Sequence, residues 1–152
     1  MKIIITTLFG LESPTRDDLL AINYKKEQIT VQDGVVILDV DDSNWALDIA
    51  RVNMWVRRGE RVFFEVGEFE CTDFDCFFES CRKLPWGDFI PKDYAFVVNG
   101  FSRKSILFGV PSLQSLSKKA IARSVLSSRG MPEGTTLYED SSKGTVKIQF
   151  GI

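Results

Sequence analysis

Cys71, Cys76 and Cys81 recur at intervals of five residues in a chain that contains no histidine. Nucleophilic Ser or Cys catalysis ordinarily draws on an imidazole base, and a zinc centre ordinarily takes four Cys or His ligands. Three thiols without an imidazole provide neither. An odd number of cysteines in a chain with no export signal reads as reduced, structural thiols, because nothing in their spacing supplies the cation that would hold a thiolate. The phosphate-binding patterns GxGxxG and GxxxxGK[ST] and the zinc pattern HExxH do not occur in the sequence. The chain is therefore expected to hold no metal and no cofactor, and not to be an enzyme in its own right.

The cations are more informative. Between residues 94 and 132 lie Arg103, Lys104, Lys118, Lys119, Arg123 and Arg129 and not one Asp or Glu, although the formal net charge of the chain is −2. Charges more than about 8 Å apart are largely screened at physiological ionic strength, so a local cationic surface attracts an anion despite an acidic total. A solubilising helix face commonly mixes signs and gains from Glu–Lys pairs at i, i+4; within this stretch no such pair can form. At about 100° per residue, Leu113, Leu116, Ala120, Ile121 and Val125 share the core side of a helix capped by Ser112. Lys119 and Arg123 fall on one shoulder and Lys118 and Arg129 on the other, with Ser115, Ala122 and Leu126 exposed between them. Arg103 and Lys104 precede the helix, whose free N–H groups suit phosphate oxygens. A nucleic acid is the polyanion that this pattern fits. Phe101 and Phe108 flank the basic loop and are candidates for base stacking. An exposed Leu126 would fit a protein-docking spot instead.

These side chains need elements to hold them. Residues 2–9 are β-branched and apolar and read as a strand. A helix is expected over residues 14–22, capped by Ser13 with Pro14 in its first position. Residues 28–32 and 35–40 read as a hairpin across Asp33-Gly34, a turn whose central residues tolerate positive φ. A second helix, capped by Asp42 or Ser43 and ended by Gly59, is expected to bury Ala46, Ile49, Ala50, Asn53 and Met54. A strand over residues 61–70 follows. This order predicts an α+β, ferredoxin-like βαββαβ unit with both helices on one face. Beyond it, a helix capped by Thr72 or Asp73 buries Phe74, Phe77, Phe78 and Cys81. A strand over residues 94–99 and the long basic helix, stopped by Gly130, come next. Two short strands, residues 135–140 and 144–150, are expected to form a closing hairpin. No run of 18 or more apolar residues occurs, so no membrane association is expected and the protein reads as cytoplasmic.

The segments TTLFGLE (residues 6–12), DIARVNMWVRRGERV (48–62) and LPWGDFIPKDYAFVVNGFSRKSILFGVPSLQSLSKKAI (84–121) resemble the amino-terminal region of THUMP-containing RNA methyltransferases. The likeness is greatest to bacterial enzymes that methylate guanine N2 in large-subunit ribosomal RNA, some of which carry the name adenine-specific DNA methylase. The resemblance implies a ferredoxin-like domain over residues 1–68 and an α/β THUMP domain over residues 69–152. It further implies that the two bind structured RNA, here ribosomal RNA, and present it to an S-adenosylmethionine-dependent methyltransferase domain. By position, Ser102, Arg103, Lys104 and Ser105 match the family's loop, and Gln114, Lys118 and Lys119 its helix. The catalytic domain is expected beyond residue 152, and S-adenosylmethionine with it. Gly109 stands where relatives often carry a small hydroxyl residue. Besides the protein-interaction reading, a remote alternative is an acylphosphatase-like hydrolase using Arg16 with Asn44 or Asn53, although no phosphate-cradling loop surrounds Arg16.

Overall fold

Burial alternates along β1 (Lys2–Thr6), with Ile3 and Ile5 wholly buried, as a strand with one face on a core requires. In the computed structural model, which describes residues 1–102, 107, 109–132 and 134–152, the chain divides into two compact units, Met1–Glu65 and Val66–Ile152. In the first unit β1 pairs antiparallel with β3 (Val35–Asp39) on one side and with β4 (Arg61–Phe64) on the other. β2 (Ile29–Gln32) adds to β3, giving the order β2-β3-β1-β4. Ile3 lies opposite Leu38 and Ile5 opposite Val36. These four side chains meet Leu19 of α1 (Glu12–Ala21) and Val52 of α2 (Trp45–Trp55) in one core. Both helices therefore cover the same face, and the unit is ferredoxin-like.

Several local expectations change. α1 starts at Glu12 rather than at Pro14, and Ser13 is not its cap: Leu11 is, without a side-chain hydrogen bond. The first turn is fixed instead by the Glu12 carboxylate, which accepts from Gly10 N at 2.8 Å and from Gly34 N at 2.9 Å. In the hairpin only Gly34 has positive φ, at 73°. α2 turns a different face inward than its stripe predicts. Trp45, Ile49, Val52 and Val56 meet the sheet, whereas Ala46, Ala50, Asn53 and Met54 are exposed. α2 is apolar nearly all round, so periodicity alone leaves its rotation open. The partner that helps to fix it lies off the helix: Tyr24 Oη donates to Asp48 Oδ1 at 2.7 Å, and the Arg51 guanidinium stacks over the Tyr24 ring.

In the second unit α3 (Phe74–Lys83) is capped by Asp73, whose Oδ1 accepts from Cys76 N at 2.8 Å. α3 and the short α4 (Trp86–Phe89) pack on α5 (Val110–Ser128). β5 (Tyr94–Phe101) and β6 (Asp140–Gly151) pair in parallel, so β5–α5–β6 is a βαβ crossover. The closing hairpin expected over residues 135–150 is thus not formed. Val146 and Ile148 lie beside Phe96 and Val98 of β5 and pack on the helix, while Leu137 of the expected partner strand packs on the same core without pairing with β6. The core holds Cys81, Trp86, Ile90, Phe96, Ala120, Ile121 and Val125. Among the described residues no helix is long and apolar enough to cross a membrane.

Candidate nucleic-acid interface

α5 carries the charged face, and its ends are set by glycine. Gly109, at φ 103°, is the N-cap, Pro111 lies in the first turn, and Ser112 is inside the helix rather than capping it. At the far end Gly130, at φ 65°, donates to Ser127 O while Met131 N donates to Leu126 O. This is a Schellman closure, which needs the left-handed residue that glycine supplies without strain. Between these ends Leu113, Ser117, Ala120, Ile121 and Val125 point into the core. Ser124 Oγ, which donates to Leu84 O at 3.0 Å, ties the helix to the end of α3. The rotation of α5 is thereby fixed, and Lys118, Lys119 and Arg123 are left exposed.

The three cations differ in their surroundings. Lys119 makes no hydrogen bond or ion pair with any other described residue. Arg123, one turn on, has its guanidinium 5.4 Å from the centroid of the Phe78 ring; this cation–π contact orients the group without neutralising it. Lys118 turns back toward the sheet, with Nζ 3.5 Å from Glu139 Oε2 and 5.4 Å from the Phe96 ring centroid. Arg129 is half-buried at the helix end, where Nη2 donates to Ile90 O at 3.1 Å and Pro91 O at 3.3 Å. It lines an open cleft of about 720 Å³ with Asp88, Lys92 and Met131. Arg103, Lys104 and Ser105, and the stacking candidate Phe108, lie outside the described residues. Phe101, at the end of β5, is half exposed. Structure thus brings Lys119 and Arg123 together on one exposed strip, and sets Lys118 and Arg129 against acceptors of the protein's own.

Two features of this face escape the sequence reading. Glu139 lies just past the acid-free stretch, and only the return of the chain after Gly130 brings it to Lys118. Leu126, expected to be exposed, is 8% exposed and belongs to the buried side; the observation that motivated protein docking there is withdrawn. Arg16, the residue of the hydrolase alternative, is engaged by Asp17 Oδ1 at 2.8 Å. The cysteines are all free, and burial pushes the Cys81 thiol up to about 11 and raises Cys71 as well. Cys81 therefore stays protonated at neutral pH. Among the described residues no group of three or more His, Cys, Asp or Glu could hold a metal ion.

Comparison with known proteins gives these features a context. Residues 2–63 match the family described as the RlmL ferredoxin-like domain. The Bacillus subtilis protein YpsC, named as a candidate RNA methyltransferase, is 35% identical over 119 residues, which is 78% of this chain and 29% of YpsC. A Listeria monocytogenes protein named a predicted N6-adenine-specific DNA methylase superposes with a TM-score of 0.85 at 34% identity, over 99% of this chain and 37% of its own. SMU.472, named as a candidate methyltransferase and solved with SAH, superposes with a TM-score of 0.87 at 26% identity, over 99% of this chain and 38% of its own. The chain thus spans about a third of the length of the relatives it matches. Over that third it is similar to proteins that bear methyltransferase or methylase names. The expectation that the chain is not an enzyme is corrected by these findings, because nearly its whole length aligns with proteins that bear methyltransferase or methylase names.

Gly87 lines the larger cleft, but a Cβ there would meet Ser128 Cβ at 2.8 Å, so its bare backbone serves the packing of α4 on α5. In the smaller cleft, of about 440 Å³, the carboxylate of Asp48 is taken by Tyr24.

Proposed function

We propose that this chain binds structured RNA, ribosomal RNA in particular, as part of a cytoplasmic S-adenosylmethionine-dependent RNA methyltransferase that acts on guanine N2. In this reading the first unit is the RlmL-type ferredoxin-like domain and the second is a THUMP domain. Arg103, Lys104, Ser105, Lys118, Lys119, Arg123 and Arg129 contribute to RNA binding. Lys119 and Arg123 make the principal phosphate contacts, and Lys118 and Arg129 stand at the margins. The single observation that carries the reading is the exposed Lys119–Arg123 strip, where two cations one helical turn apart face solvent without a carboxylate partner among the described residues. The name of YpsC supports RNA, the name of the Listeria monocytogenes protein supports DNA, and the test below separates the two.

The test is binding of a labelled ribosomal RNA fragment across a salt series, with a DNA oligonucleotide of the same sequence as control. For a single-stranded contact the log–log slope changes by about 0.7 for each phosphate neutralised. The double substitution Lys119→Ala and Arg123→Ala is expected to flatten the slope by about 1.4 and to weaken affinity at low salt. An unchanged slope and affinity would remove this face from the reading. Equal or tighter binding of the DNA would remove RNA.

A further inference from the structure

We infer that Glu139 is an internal competitor for the RNA-binding face, occupying Lys118 as a phosphate oxygen would and thereby limiting affinity. This rests on the reading of that face as phosphate-binding and goes beyond it by assigning a regulator of the site.

The inference follows from position and chemistry. Glu139 belongs to the segment that returns from Gly130 to the start of β6. Asp140 N donates to Asp93 O at 2.8 Å, and Asp140 Oδ1 accepts from Ser142 N at 2.9 Å. The backbone that follows Glu139 is thus held, and this places the Glu139 carboxylate beside Lys118. Its side chain is 28% exposed and that of Lys118 is 53% exposed. The pair is accessible enough for a ligand to displace and close enough to matter. A carboxylate and a phosphodiester offer an ammonium the same anionic oxygen. They cannot both fill the side of Nζ that Glu139 occupies, with the Phe96 ring on another side. A phosphate arriving on the Lys119–Arg123 strip therefore meets either the remaining open side of the Lys118 ammonium, whose charge Glu139 already offsets in part, or displaces the Glu139 carboxylate. A partly exposed pair of this kind contributes about 0.2–1 kcal/mol, which converts to an affinity change of about 1.4- to five-fold. The contact moderates binding without abolishing it.

The experiment measures binding of a fluorescein-labelled oligouridylate by anisotropy at low and physiological salt, for Glu139→Gln in the otherwise native chain and on a Lys118→Ala background. Gln preserves shape and hydrogen bonding while removing the charge, and circular dichroism confirms folding. The expected result is a gain of about 1.4- to five-fold in the native background, a salt slope steeper by up to about 0.7, and no gain when Lys118 is Ala. Glu27→Gln, on the exposed 3-10 turn of the first unit, serves as control and is expected to change nothing. If Glu139→Gln gives no gain, or the same gain on both backgrounds, the inference is overturned while the face itself stands, provided the Lys119 and Arg123 substitutions still weaken binding. If those substitutions have no effect either, the phosphate-binding reading falls and takes this inference with it.

Discussion

Ser117→Ala is expected to make the second unit more stable. Ser117 sits on the core side of α5, is 2% exposed, and its Oγ has no hydrogen-bond partner among the described residues. A buried hydroxyl without a partner carries its desolvation penalty uncompensated, about 1–3 kcal/mol. Alanine removes that penalty and adds about 0.5 kcal/mol of helix propensity. Against this stands the loss of a few dispersion contacts of one oxygen atom. The net expectation is a stabilisation of about 1–2 kcal/mol. For a unit of this size each kcal/mol moves the melting midpoint by about 4–8 °C. The assay is urea and thermal unfolding by circular dichroism, with hydrogen exchange of the α5 amides locating the effect. The adjoining Lys118 and Lys119 point elsewhere on the helix, so affinity for RNA is expected to stay as it is. A destabilisation of about 1 kcal/mol or more would refute the argument, since a loss on that scale is what removing a satisfied hydrogen bond produces. It would mean that Oγ bonds a backbone carbonyl or an internal water.

The first unit offers a parallel case: Thr15 on α1 is 0% exposed with an unpartnered Oγ1. Thr15→Val, which exchanges that hydroxyl for a methyl of similar size, is expected to stabilise by about 1 kcal/mol, read as slower exchange of the α1 and β1 amides. The Cys81 thiol supplies a pH dependence. Because its folded pKa is raised by burial from 9.0 to about 11, its contribution to stability is complete below pH 9, where both states are protonated. As pH rises toward 11 the unfolded chain ionises first and the contribution is lost, in total about 2–3 kcal/mol. Urea titrations between pH 8 and about 11 should show stability falling over this window in the native chain and falling less in Cys81→Ala. An equal fall in both would locate the alkaline sensitivity elsewhere.

What could be read from the sequence shows where local physics suffices. The first strand was legible because residues 3–7 are an unbroken β-branched run, and the hairpin because a glycine must take the left-handed position at 34. Gly130 likewise marked the end of α5 through the left-handed residue that its closure needs. The rotation of α2 was not legible, since Leu47, Met54 and Trp55 make its exposed side as apolar as its buried one. Nor was the pairing of β6, whose alternation satisfies a hairpin and a parallel ladder equally well until β5 is placed beside it.

The amino-acid order by itself determined the cationic composition of the stretch from 94 to 132 and the want of imidazole chemistry, because both are properties of residue type. Which cations face solvent without a counter-charge was decided only by tertiary structure. Glu139 is distant from Lys118 along the chain and becomes its neighbour through the crossover from α5 to β6. Leu126 is buried by packing rather than by its place on a helical wheel. Charge neutralisation and burial depend on distance through space, and a sequence records distance only along the chain.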